Sequence, residues 1–398
     1  MNKEIALLTK VDCSHLSIQK DFEDEFTIGD PSSGEFLQVP QVAVDVIELL
    51  NGRNTIEEVC EIANEKYNED VDVIDFVMTL LEYGLVLSID GETLKPEIKR
   101  EAHPLFQKLG SFFFSKALVA LYGISCLAVL FLFVIHPPLF PKFKDLFVYE
   151  LVGISTFNIV VAAWILTIVH EFGHFLAASK EGISSLIRLN LRMIWLVAET
   201  DMSGLWAKPR SKRYIPFLAG MMWDVVIILI CLAVQLTTKN ELLIAYSKLI
   251  VFLTLFAFLF QFIIFLRTDL YFVVSNWKNT SALHQNSLMY LQKTFLKKEM
   301  PDWEQLPEHE KKNAVWFGFL YGIGGIIAIT LFFYFQAPAI LYGLTTVYHS
   351  ITLYGIESFY FWDSVLVLAV FTLQAIIWLF GLRTSMKERK AERRTVEA

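Results

Sequence analysis

The chain has 398 residues, of which 55% are hydrophobic and 14% aromatic, including 34 phenylalanines. That is a membrane protein's composition, at a length with room for two or three domains. The charge of −8 is uneven: residues 1–100 carry 22 acidic against 8 basic side chains, a net of −14, which leaves +6 for the rest, and so acidic a start argues against a nucleic-acid module.

Residues 1–40 are polar and weakly patterned, and Met1–Lys20 holds no apolar run long enough for a signal peptide. Phe26-Thr27-Ile28, the turn-like stretch 29–34 and Phe36–Val39 predict a β-hairpin. Three short helices are expected next. The first covers about 41–50 and ends at Asn51-Gly52. The second begins at Thr55, whose hydroxyl can cap it while Glu58 completes a capping box; its apolar face is Ile56, Val59, Cys60, Ala63 and Tyr67. The third covers about 71–83, turns Ile74, Val77, Leu80 and Leu81 inward, and stops at Gly84. Leu85–Ile89 and then Asp90-Gly91 read as a strand entering a tight turn, a wing. Residues 1–100 are therefore expected to form a small α+β winged-helix-like domain. The run Leu49–Glu58, with Tyr83-Gly84-Leu85-Val86, resembles the PqqD-type leader-recognition domains that serve enzymes maturing ribosomally made peptides. The resemblance implies that an extended leader peptide adds a strand to an exposed sheet edge. The alternative is a winged helix that only docks or supports.

A linker, 92–116, carries Lys95, Lys99, Arg100, Lys108 and Lys116. Beyond it, residues 101–398 are expected to be mostly α-helical, with about six membrane spans near 117–135, from 152, 214–235, 244–266, 315–335 and 364–382. Basic stretches (92–116, 180–213, 267–312 and the tail) alternate with acidic or short ones, which sets both termini on the cytoplasmic side of a cell membrane. Residues 338–356 could be re-entrant, and the basic tail suits anionic lipid. Leu186–Trp195 alternates polar and apolar residues, as an interfacial strand would, and such an edge could hold an extended substrate. Cys13, Cys60, Cys126 and Cys231 lack paired spacing and read as reduced, buried thiols.

The second span carries His170-Glu171-Phe172-Gly173-His174. Histidines four apart share a helix face and can both reach one zinc ion, while Glu171 can take a proton from water activated there. Ionisable side chains inside a bilayer are costly, so three within five residues point to function. The bland alternative is a pair of satisfied polar residues in a helix bundle. A catalytic zinc needs three protein ligands. The topology brings the cytoplasmic end of the fourth span to the depth of the histidines, and Asp269 follows that end. Asp269 is the expected third ligand; otherwise it is a helix-end acid paired with Arg267.

With both segments placed, residues 150–295 resemble the site-2 protease family of intramembrane zinc metalloproteases. More narrowly, they are similar to the peptide zinc metalloproteases of bacterial peptide-maturation clusters, which often add a PqqD-like N-terminus. The resemblance rests on the His-Glu-x-Gly-His form, on Thr268-Asp269-Leu270-Tyr271-Phe272 with the echo Ser275-Asn276, and on Leu218-Ala219-Gly220, where Gly220 would let the third span approach the zinc helix. Leu270, Met221 and Asp224 depart from its usual glycine, proline and asparagine. Leu270 puts the local turn in question. Asp224 could orient substrate or a zinc ligand, or simply bond helix to helix. His284 is a weaker candidate beside the site, with an interfacial histidine as its alternative, and His136 and His349 suit a membrane-surface belt.

The expectation is an intramembrane zinc metallopeptidase with Glu171 as catalytic base and Zn²⁺ held by His170, His174 and Asp269. Its substrate would be a small ribosomally made peptide, recognised through its leader, with a peptide-modifying enzyme or exporter as partner. The competing expectations are a non-catalytic membrane docking partner and a regulatory protease that cuts a single-span protein.

Overall fold

The computed structural model describes residues 5–22, 25–94, 102–192, 195–280, 282–300, 303–304, 306–331, 333–334 and 337–396. Lys95, Lys99 and Arg100 of the expected linker, residues 193–194 of the expected interfacial strand, and residues 332 and 335 of the fifth expected span lie outside these.

Two small sheets and three helices build the N-terminal part. One sheet has the order β2 (Ser17–Phe22), β3 (Glu25–Asp30), β4 (Glu35–Pro40), all antiparallel. The β3–β4 hairpin is the one the sequence predicts, with Ile28 opposite Leu37 and Gly34 at φ +81° closing the turn. α1 (Gln41–Leu49) follows directly. In the second sheet the wing was expected and its partners were not: β1 (Lys10–Asp12) lies between β5 (Asn51–Thr55) and the wing strand β6 (Ser88–Ile89), shorter than the expected Leu85–Ile89, which turns into β7 (Glu92–Thr93). Asn51–Thr55 is polar and has no alternating pattern, so the sequence reads as the end of a helix. It is a strand because β1 runs beside it and gives its backbone partners, while Val11 enters the core. α2 (Ile56–Tyr67) starts with the expected capping box: the Glu58 amide donates to the Thr55 hydroxyl at 3.3 Å, and the Thr55 amide to the Glu58 carboxylate at 2.8 Å. Asp72 caps α3 (Val73–Glu82). Ile56, Val59, Ala63, Val77 and Leu80 are buried together with Val11, Ile28 and Leu50, while Ile74 and Leu81 pack at the edge. Tyr67, expected inward, instead donates its hydroxyl to Asp45. Burial pushes the Cys13 thiol up to about 12, with Asp12 beside it adding to the shift.

Among the described residues, six helices are long and apolar enough to cross a membrane, which makes the chain a multi-pass membrane protein. After the short α4 (Pro104–Phe113) these are α5 (Lys116–Ile135), α6 (Val152–Lys180), α7 (Arg210–Thr237), α8 (Glu241–Phe260), α11 (Glu308–Leu331) and α13 (Phe359–Val396). Their positions follow the six expected spans, except that the fourth ends at Phe260 rather than near 266, where a 3-10 turn (Ile264–Leu266) takes over. The stretch 180–213 is mainly a hairpin, β8 (Ile187–Arg192) with β9 (Trp195–Thr200), where a single strand was expected, and then a 3-10 turn, Ser203–Ala207. The stretch 267–312 holds α9 (Asp269–Trp277) and α10 (Leu283–Leu296). Residues 337–353 form α12 (Ala337–Leu353), which packs on α13. α7 is the central helix, packed on α5, α6, α8 and α9. Its Val225, Ile228 and Leu232 are buried with Val129 of α5 and Val251 of α8.

Candidate metal centre

The site end of α6 is buried where the rest of that helix is largely exposed: His170, Glu171, Gly173, His174 and Leu176 through Ser179 are enclosed, whereas Ile154, Phe157, Ile165 and Ile168 face outward. α7 makes the enclosure by coming unusually close. A Cβ placed on Gly220 would lie 2.5–2.6 Å from carbons of the His170 ring, and one on Gly173 would lie 3.1 Å from the Ala219 carbonyl oxygen. Small residues are what let two helices meet backbone to ring in this way. This is the close approach that Leu218-Ala219-Gly220 led us to expect.

α7 also sets both imidazoles. His170 Nδ1 is 2.8 Å from Asp224 Oδ2. His174 Nδ1 is 2.7 Å from the Pro216 carbonyl oxygen. A carbonyl oxygen can only accept, so His174 carries its proton on Nδ1, and the carboxylate asks the same of His170. Each Nε2 then turns a lone pair inward. Asp224, 2% exposed within the apolar span, thus meets its need for a partner at His170.

Asp269 arrives from the far side of the sequence. Its Oδ2 lies 3.0 Å from His170 Nε2 and 3.1 Å from His174 Nε2, and the two nitrogens are 3.1 Å apart. These three atoms thus form a nearly equilateral triangle of nitrogen and oxygen donors. Ligand atoms about 2.0–2.1 Å from a tetrahedral zinc stand roughly 3.3 Å apart, so the donor set and its spacing fit that ion. Gln261 at the end of α8 places the carboxylate: its side-chain oxygen accepts from the Asp269 amide at 3.0 Å, and its carbonyl from the Thr268 hydroxyl at 2.6 Å. Arg267 does not pair with Asp269; it takes a left-handed backbone, φ +58°, and its guanidinium lies over the Tyr271 ring. Leu270 sits in the first turn of α9 without a left-handed backbone, so no glycine is required there.

Glu171 is gripped from β9. The Thr200 amide and hydroxyl both donate to Glu171 Oε2, at 2.7 and 2.8 Å. Two donors on one oxygen hold the side chain in one orientation. Glu171, the three converging side chains and Asp224 all line a cavity of about 980 Å³, bounded by α6, α8, β9 and the 3-10 turn 203–207. Its α8 wall is apolar, with Leu253, Phe256 and Phe260. His284 is not among the lining residues; its ring stands against Phe317 and Tyr321, and its amide donates to the Tyr271 hydroxyl. Ser275 and Asn276 tie α9 to its neighbours rather than reaching the cavity, with the Asn276 side chain donating to the Arg210 carbonyl.

Sequence reasoning missed Thr200, Gln261 and the Pro216 carbonyl. Pro216, a proline inside a span, was the one signal in the sequence that pointed to an irregular helix there. The other two are ordinary polar residues with no spacing to mark them.

Residues 25–86 match the family model described as Coenzyme PQQ synthesis protein D (PqqD). The match takes in β3 through α3 and the start of the wing segment. None of the curated proteins and none of the solved structures matches the chain.

Proposed function

We propose that the chain is an intramembrane zinc metallopeptidase that cleaves a small ribosomally made peptide, with its PqqD-like domain recognising the leader. The observation that carries this reading is the convergence of His170 Nε2, His174 Nε2 and Asp269 Oδ2, with both Nδ1 atoms committed elsewhere. Zinc, when bound by these three side chains, lowers the pKa of a water and polarises a peptide carbonyl. Asp224 and the Pro216 carbonyl keep the imidazoles aimed, and Gln261 keeps the carboxylate aimed. Glu171 accepts a proton from the attacking water and returns it to the departing amine as the C–N bond breaks. The peptide lies in the cavity between β9 and the apolar wall of α8. The leader adds as a strand to the N-terminal sheet, and a modifying enzyme or exporter acts on the same peptide. In this reading both termini are on the cytoplasmic side of the cell membrane, which the alternation of basic with acidic or short stretches supports, and the triad lies near that face.

A second reading is a non-catalytic docking partner. The match at residues 25–86 favours it as much, because leader binding needs no zinc. Metal content separates the two. Detergent-purified wild type should hold about one zinc per chain, lost in Asp269→Ala and in His170→Ala. Glu171→Gln should keep the zinc and lose peptide hydrolysis. Metal-free wild type with intact leader binding would replace the peptidase by the docking protein.

A further inference from the structure

The N-terminal domain is seated on the membrane part by a buried ion pair that the metal site does not use. Asp21 of β2 and Arg213 in the first turn of α7 meet at 2.6 Å, and each side chain is 1% exposed. Arg213 is otherwise surrounded by neutral acceptors: the carbonyls of Trp206 and Lys208, at 3.0 and 2.7 Å, and Asn276 Oδ1, at 3.4 Å. Its guanidinium also lies over the Trp206 ring, 4.8 Å from the centroid. Asp21 is thus the carboxylate facing a fully buried cation.

The rest of the contact follows the same seam. Asn279 donates to Glu25 at 2.9 Å, and His309 lies 3.6 Å from the same carboxylate. The β3–β4 turn rests on the 3-10 turn 203–207: a Cβ on Gly34 would lie 3.3 Å from the Ser203 Cβ. Ser203 and Trp206 also line the cavity. One short turn therefore touches the N-terminal sheet on one side and the cavity on the other. No described residue of 5–94 lines the cavity, so the domain stands beside it and does not fill it.

A buried ion pair contributes little net stability against an apolar substitute, but breaking one leaves an uncompensated charge and is costly. Such a pair fixes geometry. We propose that Asp21–Arg213 is a docking latch, which holds the N-terminal domain in one pose on the rim turn 203–207 and so gives a peptide bound to that domain a set distance to the cavity. The delivery role rests on the peptidase reading above; the latch does not.

The test uses the full chain in detergent and reads amide exchange at 203–207, the turn that the domain covers, against exchange in β3 and β4. In the native chain the turn should be protected. Asp21→Asn should raise its exchange rate at least about tenfold, since the buried cation loses its counter-charge, while β3 and β4 keep their protection. Arg213→Lys, which keeps the charge but loses the forked bonds to two carbonyls, should raise it less. Exchange at the native rate in both variants would overturn the latch. An unprotected turn in the native chain would overturn the docked pose. If Asp21→Asn also strips protection from β3 and β4, Arg213→Lys alone decides: faster exchange at the turn supports the latch and an unchanged rate rejects it. Zinc content, read on the same samples, shows separately whether the peptidase reading stands.

Discussion

The N-terminal domain and the candidate metal centre are held together by opposite means. In the domain, some twenty apolar side chains make one core, and nearly all polar residues stay outside. At the candidate centre, His170, Glu171, His174 and Asp224 are buried, and each is paired to a group on another element. The first arrangement is driven by water and tolerates approximate fit. The second sits where unpaired polar groups are expensive, so each bond is specific and each loss is local. The domain should therefore respond to lost volume, and the centre to misplaced atoms.

Gly220→Ala should have the largest effect. One methyl group, placed against the His170 ring, removes no ligand but pushes the imidazole off its lone-pair direction. Zinc affinity should fall by more than about a hundredfold, beyond the usual range for groups that only orient a ligand. Isothermal titration with the metal measures this, and unaltered affinity would show that α7 can move aside. Leu80→Ala breaks the other side of the comparison. It is fully buried in the domain core, and its loss should cost about 2–5 kcal/mol there. Zinc content should not change. A parallel loss of zinc would mean that the two regions unfold as one.

Asp224→Asn is a finer test. The amide can still meet His170 Nδ1 but no longer supplies the charge that favours the Nδ1–H form, so affinity should fall about 10–100-fold with the chain folded. Thr55→Ala removes one half of a capping box and should lower domain stability by about 0.5–2 kcal/mol, read from denaturant unfolding of the domain signal. The smallest effect is chemical. With its thiol held up to about 12, Cys13 should be alkylated more slowly than the partly exposed Cys60 at pH 8, and the difference should vanish in denaturant.

The two regions also differ in how well they could be read. The helix of His170 and His174 was legible because four-residue spacing is a helix's own period, and because its residues are out of place in an apolar span. Asp269 was legible once the spans had been counted, since topology fixes depth. The β3–β4 hairpin and the Thr55 cap carry local signals, and both are present. β1, β2 and β5 were not read, because their residues are polar and they become strands only through partners. His284 was weighed as a neighbour of the site from its place in the chain, but α10 sets its ring against Phe317 and Tyr321.

The sequence by itself therefore determined the helices that cross the membrane, the two histidines on one helix face with a glutamate beside the first, and the capped helices of the acidic domain. Each of these depends on residues within a few positions of one another, where periodicity and capping act. The tertiary structure alone decided that Asp224 and the Pro216 carbonyl aim the imidazoles, that Thr200 grips Glu171, that Gln261 seats Asp269, and that Asp21 answers Arg213. These are single bonds between segments far apart in the chain. They exist because buried polar groups must find partners, and only the packed fold determines which partners are within reach.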